Sequence, residues 1–416
     1  MTNPLHDLMD YRNRPDPYQL LARIREAGPI PVEDGKVVIY GRYDDCNQIL
    51  RHKEMGNDTK QAVDMTGLGD PADHQEMTPE DLGISSIFFM DPPGHGRQRK
   101  FISKSFTPRI VSSFQPSIAR IVDDLFAKFR DRGEFDVVDD LAYPMSIGII
   151  CDIFGIPEEE RQMLKDWSVD LALSSELPTL GAATGSATRV FAKEEIERIF
   201  RTMLAVHAYF GDLIQRRRRN PGDDLVSSLI ATESNGDRLT RYEVTSALAT
   251  LFIAAHESTT NLVSNGILAL LRNPDQLTAL REEPGVITTL VDEALRYDPP
   301  VQLATRISRT HTTIGGHDLR PGDVVVVLMA AANRDPRAYH EPEAFDVRRK
   351  TKNVSLAFGA GAHFCIGSSL AKLEAELALS AFAERLRDPE LDESSLNYRR
   401  HIVVRGLQNM TVSFKP

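Results

Sequence analysis

Phe358-Gly359-Ala360-Gly361-Ala362-His363-Phe364-Cys365-Ile366-Gly367 sets one cysteine among three glycines, and a helical pattern, Leu370-Ala371-Lys372-Leu373-Glu374-Ala375-Glu376-Leu377, follows it. A free thiol is a poor ligand near neutral pH because its pKa is roughly 8.5. Glycine lets the backbone approach closely and take positive φ, which is the expectation at Gly359, Gly361 and Gly367. A helix N-terminus adds unpaired N–H groups and the positive end of its dipole, and both favour an anionic sulfur. The stretch therefore reads as a loop presenting a single thiolate ligand. A lone cysteine is more often a small buried hydrophobe. Three ordered glycines, a flanking Phe358 and a His363 two residues upstream argue otherwise here. A zinc site built on His363 and Cys365 would need further ligands at recognisable spacing. Cys46 and Cys151 are isolated and distant, and no C-x-x-C occurs.

Around this loop the 416 residues have an ordinary globular composition, 41% apolar and 26% charged, sufficient for a large core. No repeat, low-complexity tract or long Pro/Gly/Ser-rich linker divides them, so residues 1–416 read as a single domain. A net charge of −11 argues against nucleic acid as a partner. The run Arg216-Arg217-Arg218-Arg219 precedes Asn220-Pro221-Gly222 and reads as a solvated helix end. No basic-then-apolar leader and no run of about 18 apolar residues is present, and three cysteines cannot form a disulfide framework. The expectation is a cytoplasmic protein without a membrane anchor.

Helical periodicity dominates from about residue 108 to 298, with short β-prone runs at Val37-Val38-Ile39-Tyr40, residues 323–328 and residues 410–414. The fold class is mainly α with small β-sheets. Pro17 is expected to open an early helix behind Asp16 as N-cap. The longest pattern, residues 240–272, begins with the capping-box signature Thr240-Arg241-Tyr242-Glu243 and ends at Asn273-Pro274. At about 1.5 Å per residue it is long enough to cross the molecule. Its apolar middle, Leu251-Phe252-Ile253-Ala254-Ala255, runs into the polar cluster His256-Glu257-Ser258-Thr259-Thr260-Asn261. Buried polar groups cost free energy unless paired, so a polar cluster in a core helix calls for a reason.

With these residues in place, the chain resembles the cytochrome P450 family, the haem-thiolate monooxygenases, from about residue 16 to its C-terminus, and in particular the bacterial soluble type. The resemblance implies the cytochrome P450 fold, with the long central helix over the haem. It implies haem b as cofactor, Cys365 as its metal ligand, Phe358 and Gly367 beside the sulfur, and Ala254 and Ala255 on the opposite side. It implies that His95 and Arg99, spaced i,i+4, together with Arg306 and His363, hold the haem propionates. Glu257 and Ser258 stand where the family relays protons, although Ala255 replaces the usual glycine and Ser258 the usual threonine. Glu293 and Arg296, at i,i+3, with Arg348 as third member, are implied to lock the core structurally. The substrate pocket is expected to draw on Ile87, Phe88, Phe89, Leu248, Leu251, Phe252, Val301 and Leu303. These apolar residues suit a hydrophobic small molecule such as a terpenoid, steroid, polyketide or aromatic, hydroxylated or epoxidised with one oxygen atom of O2. Electrons are expected from NAD(P)H through a ferredoxin-type partner, docked through Arg97, Lys100, Lys104 and Lys372 on a monomer. A peroxide-driven haem oxygenase and a non-catalytic haem-binding protein are the alternatives. Residues 58–91 carry eight acids against one base, Lys60. They read as a solvated loop, or, should the acids face inward, as a roof that attracts amines.

Overall fold

The computed structural model describes residues 4–58, 86–184, 190–234, 237–400 and 402–415. The elements that position the site are helices α1 (Tyr43–Arg51), α2 (Gly94–Ile102), α3 (Arg161–Thr184), α4 (Arg241–Arg272), α5 (Ile287–Tyr297) and α6 (Ser368–Arg385). A five-stranded sheet completes them, built from β1 (Ile30–Val32), β2 (Val37–Tyr40), β3 (Met55–Gly56), β4 (Ala304–Ser308) and β5 (Val324–Val327), in the order β1-β2-β5-β4-β3.

The expected long helix is α4, and its capping box forms as the sequence implies. The Thr240 hydroxyl accepts the Glu243 N–H, and the Glu243 carboxylate accepts the Thr240 N–H at 2.8 Å. Its 32 residues give a rod of about 48 Å. α4 packs on helix Tyr143–Phe154, on helix Lys193–Arg219 and on α6, so almost its whole length lies inside the helical core. Val37–Tyr40 and Val324–Val327 pair in parallel and are buried on both faces, which explains why they read as continuous apolar runs. β4 lies antiparallel beside β5, and this pairing sets Arg306 opposite Val325.

Two expectations shift slightly. The early helix runs Tyr18–Ala27, with Pro17 as N-cap, and Asp16 accepts the Tyr18 N–H at 3.1 Å from one residue further out. The arginine run does end helix Lys193–Arg219, but Arg216 pairs with Glu160, and Arg217 pairs with Asp224 and donates to the Gly155 carbonyl. Half of that block therefore ties elements together. Of the acidic stretch, residues 59–85 lie outside the described residues. Asp91 accepts backbone N–H groups from Asn57 and Asp58.

Candidate functional site: a single cysteine, a cluster of arginines and histidines and a polar break in the central helix

The cysteine loop is held from both sides. Gly359 and Gly361 take φ of 68° and 70°, and a Cβ on Gly361 would come 2.6 Å from the Leu50 carbonyl oxygen at the end of α1. Gly367 differs from expectation: its φ is −84° and it serves as N-cap of α6. Cys365 thus sits two residues ahead of the cap. Its N–H donates to the Phe358 carbonyl at 2.9 Å, which closes the loop, and Phe358 meets Phe364 edge to face. Burial pushes the Cys365 thiol up, while the Gly367 N–H and Arg99 pull it the other way. Cys46 and Cys151 are free and fully buried. Among the described residues no three of His, Cys, Asp or Glu gather as metal ligands.

A buried polar knot anchors this loop. Arg296 donates to Glu293 at 2.7 and 2.8 Å and to the carbonyls of Asn333, Pro342 and Ala344. Asn333, fully buried, accepts the Leu356 N–H and so carries the knot into the loop. The third member is Arg349, not Arg348. Arg349 Nε sits 3.0 and 2.9 Å from the two Glu293 oxygens. Arg348 points outward to Glu283. In the turn that follows Phe345-Asp346, consecutive side chains face opposite ways, and the Asp346 N–H reaches Glu293 as well.

Next to the loop stand two arginines without counter-ions and two stacked histidines. His95, on α2, stacks on His363 with ring centroids 3.9 Å apart. Arg99, one turn on, donates to the Phe364 carbonyl. Arg306, on β4, is 6% exposed, and its Nη1 donates to the neighbouring Thr305 carbonyl at 2.8 Å. Burial pushes the Arg306 guanidinium down to about 10. Burial, then His95, Arg306 and Arg99, pushes the His363 imidazole down to about 3. Among the described residues no carboxylate lies within ion-pair distance of Arg99 or Arg306. Asp91 is the one acid that acts on Arg306, and its oxygens face Asn57 and Asp58. A buried cation without a counter-charge is costly. The chemistry of this set is that of a receptor for carboxylates, which arginine grips with its planar fork.

α4 is buried from Val244 to Leu270 except at Leu251, Ile253, Ala254, Ala255 and Ser258. Leu251, Ala254, Ala255 and Ser258 are spaced i, i+3, i+4, i+7 and share one face. The Ser258 hydroxyl donates to the Ala254 carbonyl at 2.6 Å, a back-bond that takes the place of an outside partner. Glu257, 3% exposed, uses one oxygen for Arg399 at 3.3 Å and Asn261 at 3.4 Å; its other oxygen has no partner. His256 is fully buried, with Nδ1 2.8 Å from the Phe252 carbonyl. Arg399 arrives on the C-terminal hairpin of strands Asn397–Tyr398 and Leu407–Asn409. At Gly406 that hairpin touches α4 so closely that any Cβ would overlap the Asn261 amide. Sequence reasoning missed Arg399. The glycine opposite it in the hairpin was the only local hint.

The expected pocket residues divide. Ile87, Phe88 and Phe89 form a short 3-10 turn tied to α4 by Ser86 and Thr250 hydroxyls 2.9 Å apart. Leu251 lies on the open face, and Val301 and Leu303 lie beside β4. Leu248 is fully buried. Phe252 is misplaced by the expectation: it is about 100° around the helix from Leu251 and packs against Phe154 and Phe210 in the core. Of the expected docking cations, Arg97 is already engaged by Asp237 and Glu243, and Lys372 by Asp292. Lys100 is exposed, and Lys104 lies over the Phe101 ring.

Comparison with known proteins points the same way. The Cytochrome P450 family model matches residues 37–394. The vitamin D(3) 25-hydroxylase of Pseudonocardia autotrophica is 34% identical over 423 residues, covering 99% of this chain and 97% of that one. Mycobacterium smegmatis CYP164A2 in its ligand-free state superposes with a TM-score of 0.87 at 35% identity, covering 99% of both chains. P450BioI, solved in complex with an acyl carrier protein ligated to hexadec-9Z-enoic acid, gives a TM-score of 0.85 at 31% identity, covering 97% of this chain and 99% of that one. Among the described residues no helix is long and apolar enough to cross a membrane.

Proposed function

This chain belongs to the cytochrome P450 family and is a monooxygenase of it, and from that premise we propose that it inserts one oxygen atom of O2 into a hydrophobic organic molecule, with electrons delivered from NAD(P)H by a ferredoxin and its reductase. The observation that carries the reading is the cluster of Arg99, Arg306 and the stacked imidazoles of His95 and His363, with no carboxylate of the described residues in ion-pair distance of either arginine, standing beside a loop with one free cysteine. That set fits haem b. Cys365 would be its ligand, and the four cationic and imidazole side chains would take its two propionates. When bound, haem with a thiolate ligand supplies the activation of O2 and favours O–O cleavage.

The chain's own residues supply the rest. Leu251, Ala254 and Ala255 present a partly open, apolar face of the central helix. The Ser258 hydroxyl, turned to the Ala254 carbonyl, is placed to pass a proton onto that face. Glu257 pairs one oxygen with Arg399 and Asn261 and keeps the other unpaired, which leaves a carboxylate oxygen free to hand on a proton. Arg399 is a positioning residue that holds the other oxygen. We read residues 1–416 as one catalytic unit acting in the cytoplasm as a monomer, on a substrate class suggested by the apolar residues Ile87, Leu251, Val301 and Leu303. The relatives named as hydroxylases support a hydroxylation.

The test is turnover under labelled O2 with a ferredoxin, its reductase and NADPH, on a substrate chosen by haem spectral shift. One labelled oxygen atom in the product and one in water is the expected result. Product formed only when peroxide is supplied would favour the peroxide-driven alternative, and haem binding without turnover in either system would favour the carrier.

A further inference from the structure

Four buried polar atoms around the middle of α4 find no hydrogen-bond partner among the described residues: the Tyr143 hydroxyl, His256 Nε2, the second Glu257 oxygen and Asn261 Oδ1. Tyr143 opens helix Tyr143–Phe154, and its ring stands edge to face with His256, centroids 6.5 Å apart. Glu257 and Arg399 act electrostatically on both rings, so these side chains share one neighbourhood of the core. His256 is fully buried, and Tyr143 and Glu257 nearly so. The Phe252 carbonyl, 2.8 Å from His256 Nδ1, calls for an N–H there, which leaves Nε2 a bare acceptor. Of the four atoms only the Tyr143 hydroxyl can donate, and the other three accept. Buried polar atoms left unmet are costly, and one donor facing three acceptors makes a site short of protons. Tyr143 also leads outward. The exposed Lys165 of α3 holds its ammonium 5.5 Å from the centre of the Tyr143 ring, and the Ser168 hydroxyl is near enough to act on the phenol without closing a hydrogen bond. The two groups already bound to Glu257 cannot reload it with a proton. Arg399 never releases its own, and the Asn261 amide does not titrate.

We propose that Tyr143 and His256 form the inlet through which Glu257 recovers a proton from solvent after each one it hands on. A proton enters beside Lys165 and Ser168 and adds to the Tyr143 oxygen as that hydroxyl releases its own. The released proton rests on His256 Nε2 and passes to the free Glu257 oxygen. Every O–H or N–H bond formed is matched by one broken, and Tyr143 and His256 return to their starting protonation. Buried water is the usual carrier between such atoms. Burial pushes the Tyr143 phenol up to about 12 and the His256 imidazole down, so both are neutral at rest and hold an extra proton only in passing. Both act through Glu257 and touch no reacting atom, which makes them positioning residues for the proton. The inference deepens the monooxygenase reading and rests on it in taking Glu257 as the group that hands protons on.

Two measurements on the holoprotein test the inlet. The first is nitrogen magnetic resonance of labelled histidine in the reduced carbon monoxide complex. The His256 Nε2 signal, identified by its loss in His256→Gln, should have the shift of a bare ring nitrogen and should move in both Tyr143→Phe and Glu257→Gln. The second is a double-mutant cycle on turnover. Tyr143→Phe keeps the ring that packs on His256 and should lower turnover about tenfold at unchanged haem content. The same change made in Glu257→Gln should cost nothing further, because both residues lie on one path. A hydroxyl that only supports the core would cost the same in either background. The cycle needs no variant at His256, so it decides the matter even where His256→Gln does not fold. A His256 signal that ignores both substitutions would overturn the proposal, and so would a Tyr143→Phe loss that is absent in the wild-type background or equal in the two. Wild-type turnover that Tyr143→Phe leaves unchanged removes only the inlet. A wild type that never turns over removes the monooxygenase reading, and the nitrogen shifts then stand as the test of the Tyr143–His256–Glu257 contact.

Discussion

Glu257 shares one oxygen between Arg399 and Asn261 and leaves the other unpaired in a buried position, and this asymmetry makes its role testable. Glu257→Gln keeps the hydrogen bonds but cannot carry a proton, so turnover should fall by roughly 10²–10⁴ with haem content unchanged. Arg399→Gln should give a smaller loss of turnover and lower the product formed per NADPH, because Glu257 loses the side chain that positions it. Unchanged coupling in that variant would show that Arg399 only supports the hairpin. Ser258→Ala should lower the product formed per NADPH and raise peroxide release. Unchanged coupling would place the relay on another group. At this scale the sequence was readable where one motif holds all the chemistry. The Cys365 loop, the His95 and Arg99 pair, and Glu257 with Ser258 are each local patterns. Arg399 was not readable, because it reaches Glu257 by tertiary packing of a hairpin far along the chain, and no periodicity records such a meeting. Phe252 failed for the opposite reason: a run of apolar residues does not say which of them faces the core.

The elements hold together through buried polar knots whose members can be told apart by substitution. Glu293 is almost completely buried and touches both Arg296 and Arg349, whereas Arg348 meets Glu283 at the surface. Arg349→Ala should therefore cost about 2–4 kcal/mol of stability and loosen the cysteine loop, and Arg348→Ala should cost less than about 1. Denaturant unfolding of the two variants checks this, and equal losses would contradict the assignment. The adjacent-arginine ambiguity could not be resolved from sequence, since spacing alone gives no turn orientation. A second knot joins α3 to the segment at Ile402–Val404 through Glu176. Burial pushes its carboxyl up to about 7, offset in part by those three N–H groups and by Arg14. Raised above its unfolded value, this acid binds a proton more readily in the folded state. Stability from it is present below about pH 4.5 and declines as pH rises to about 7, by on the order of 3 kcal/mol. Glu176→Gln should be more stable than wild type at pH 8, and the difference should shrink toward pH 5. A constant difference between those pH values would show that Glu176 does not titrate there.

Across the whole molecule, a net charge of −11 has to be reconciled with the iron–sulfur partner proposed above. Arg97 and Lys372 are spent on internal ion pairs, so the exposed Lys100 carries more of the expected docking than composition suggested. Reduction rates should fall as salt rises, and Lys100→Glu should lower the association rate about tenfold at low ionic strength. A salt-independent rate would remove the electrostatic docking. The overall architecture was legible because long helical periodicity, the capping box at Thr240 and the paired valine runs each point to the same mainly α fold. The central claim is that Cys365 gives a haem a thiolate ligand, and the most direct measurement is the absorption spectrum of the dithionite-reduced protein under carbon monoxide, with Cys365→Ser beside it. Wild type should show the band diagnostic of thiolate ligation and Cys365→Ser should lose it. A wild-type band of the histidine-ligated kind, or the same spectrum in both proteins, would contradict the account.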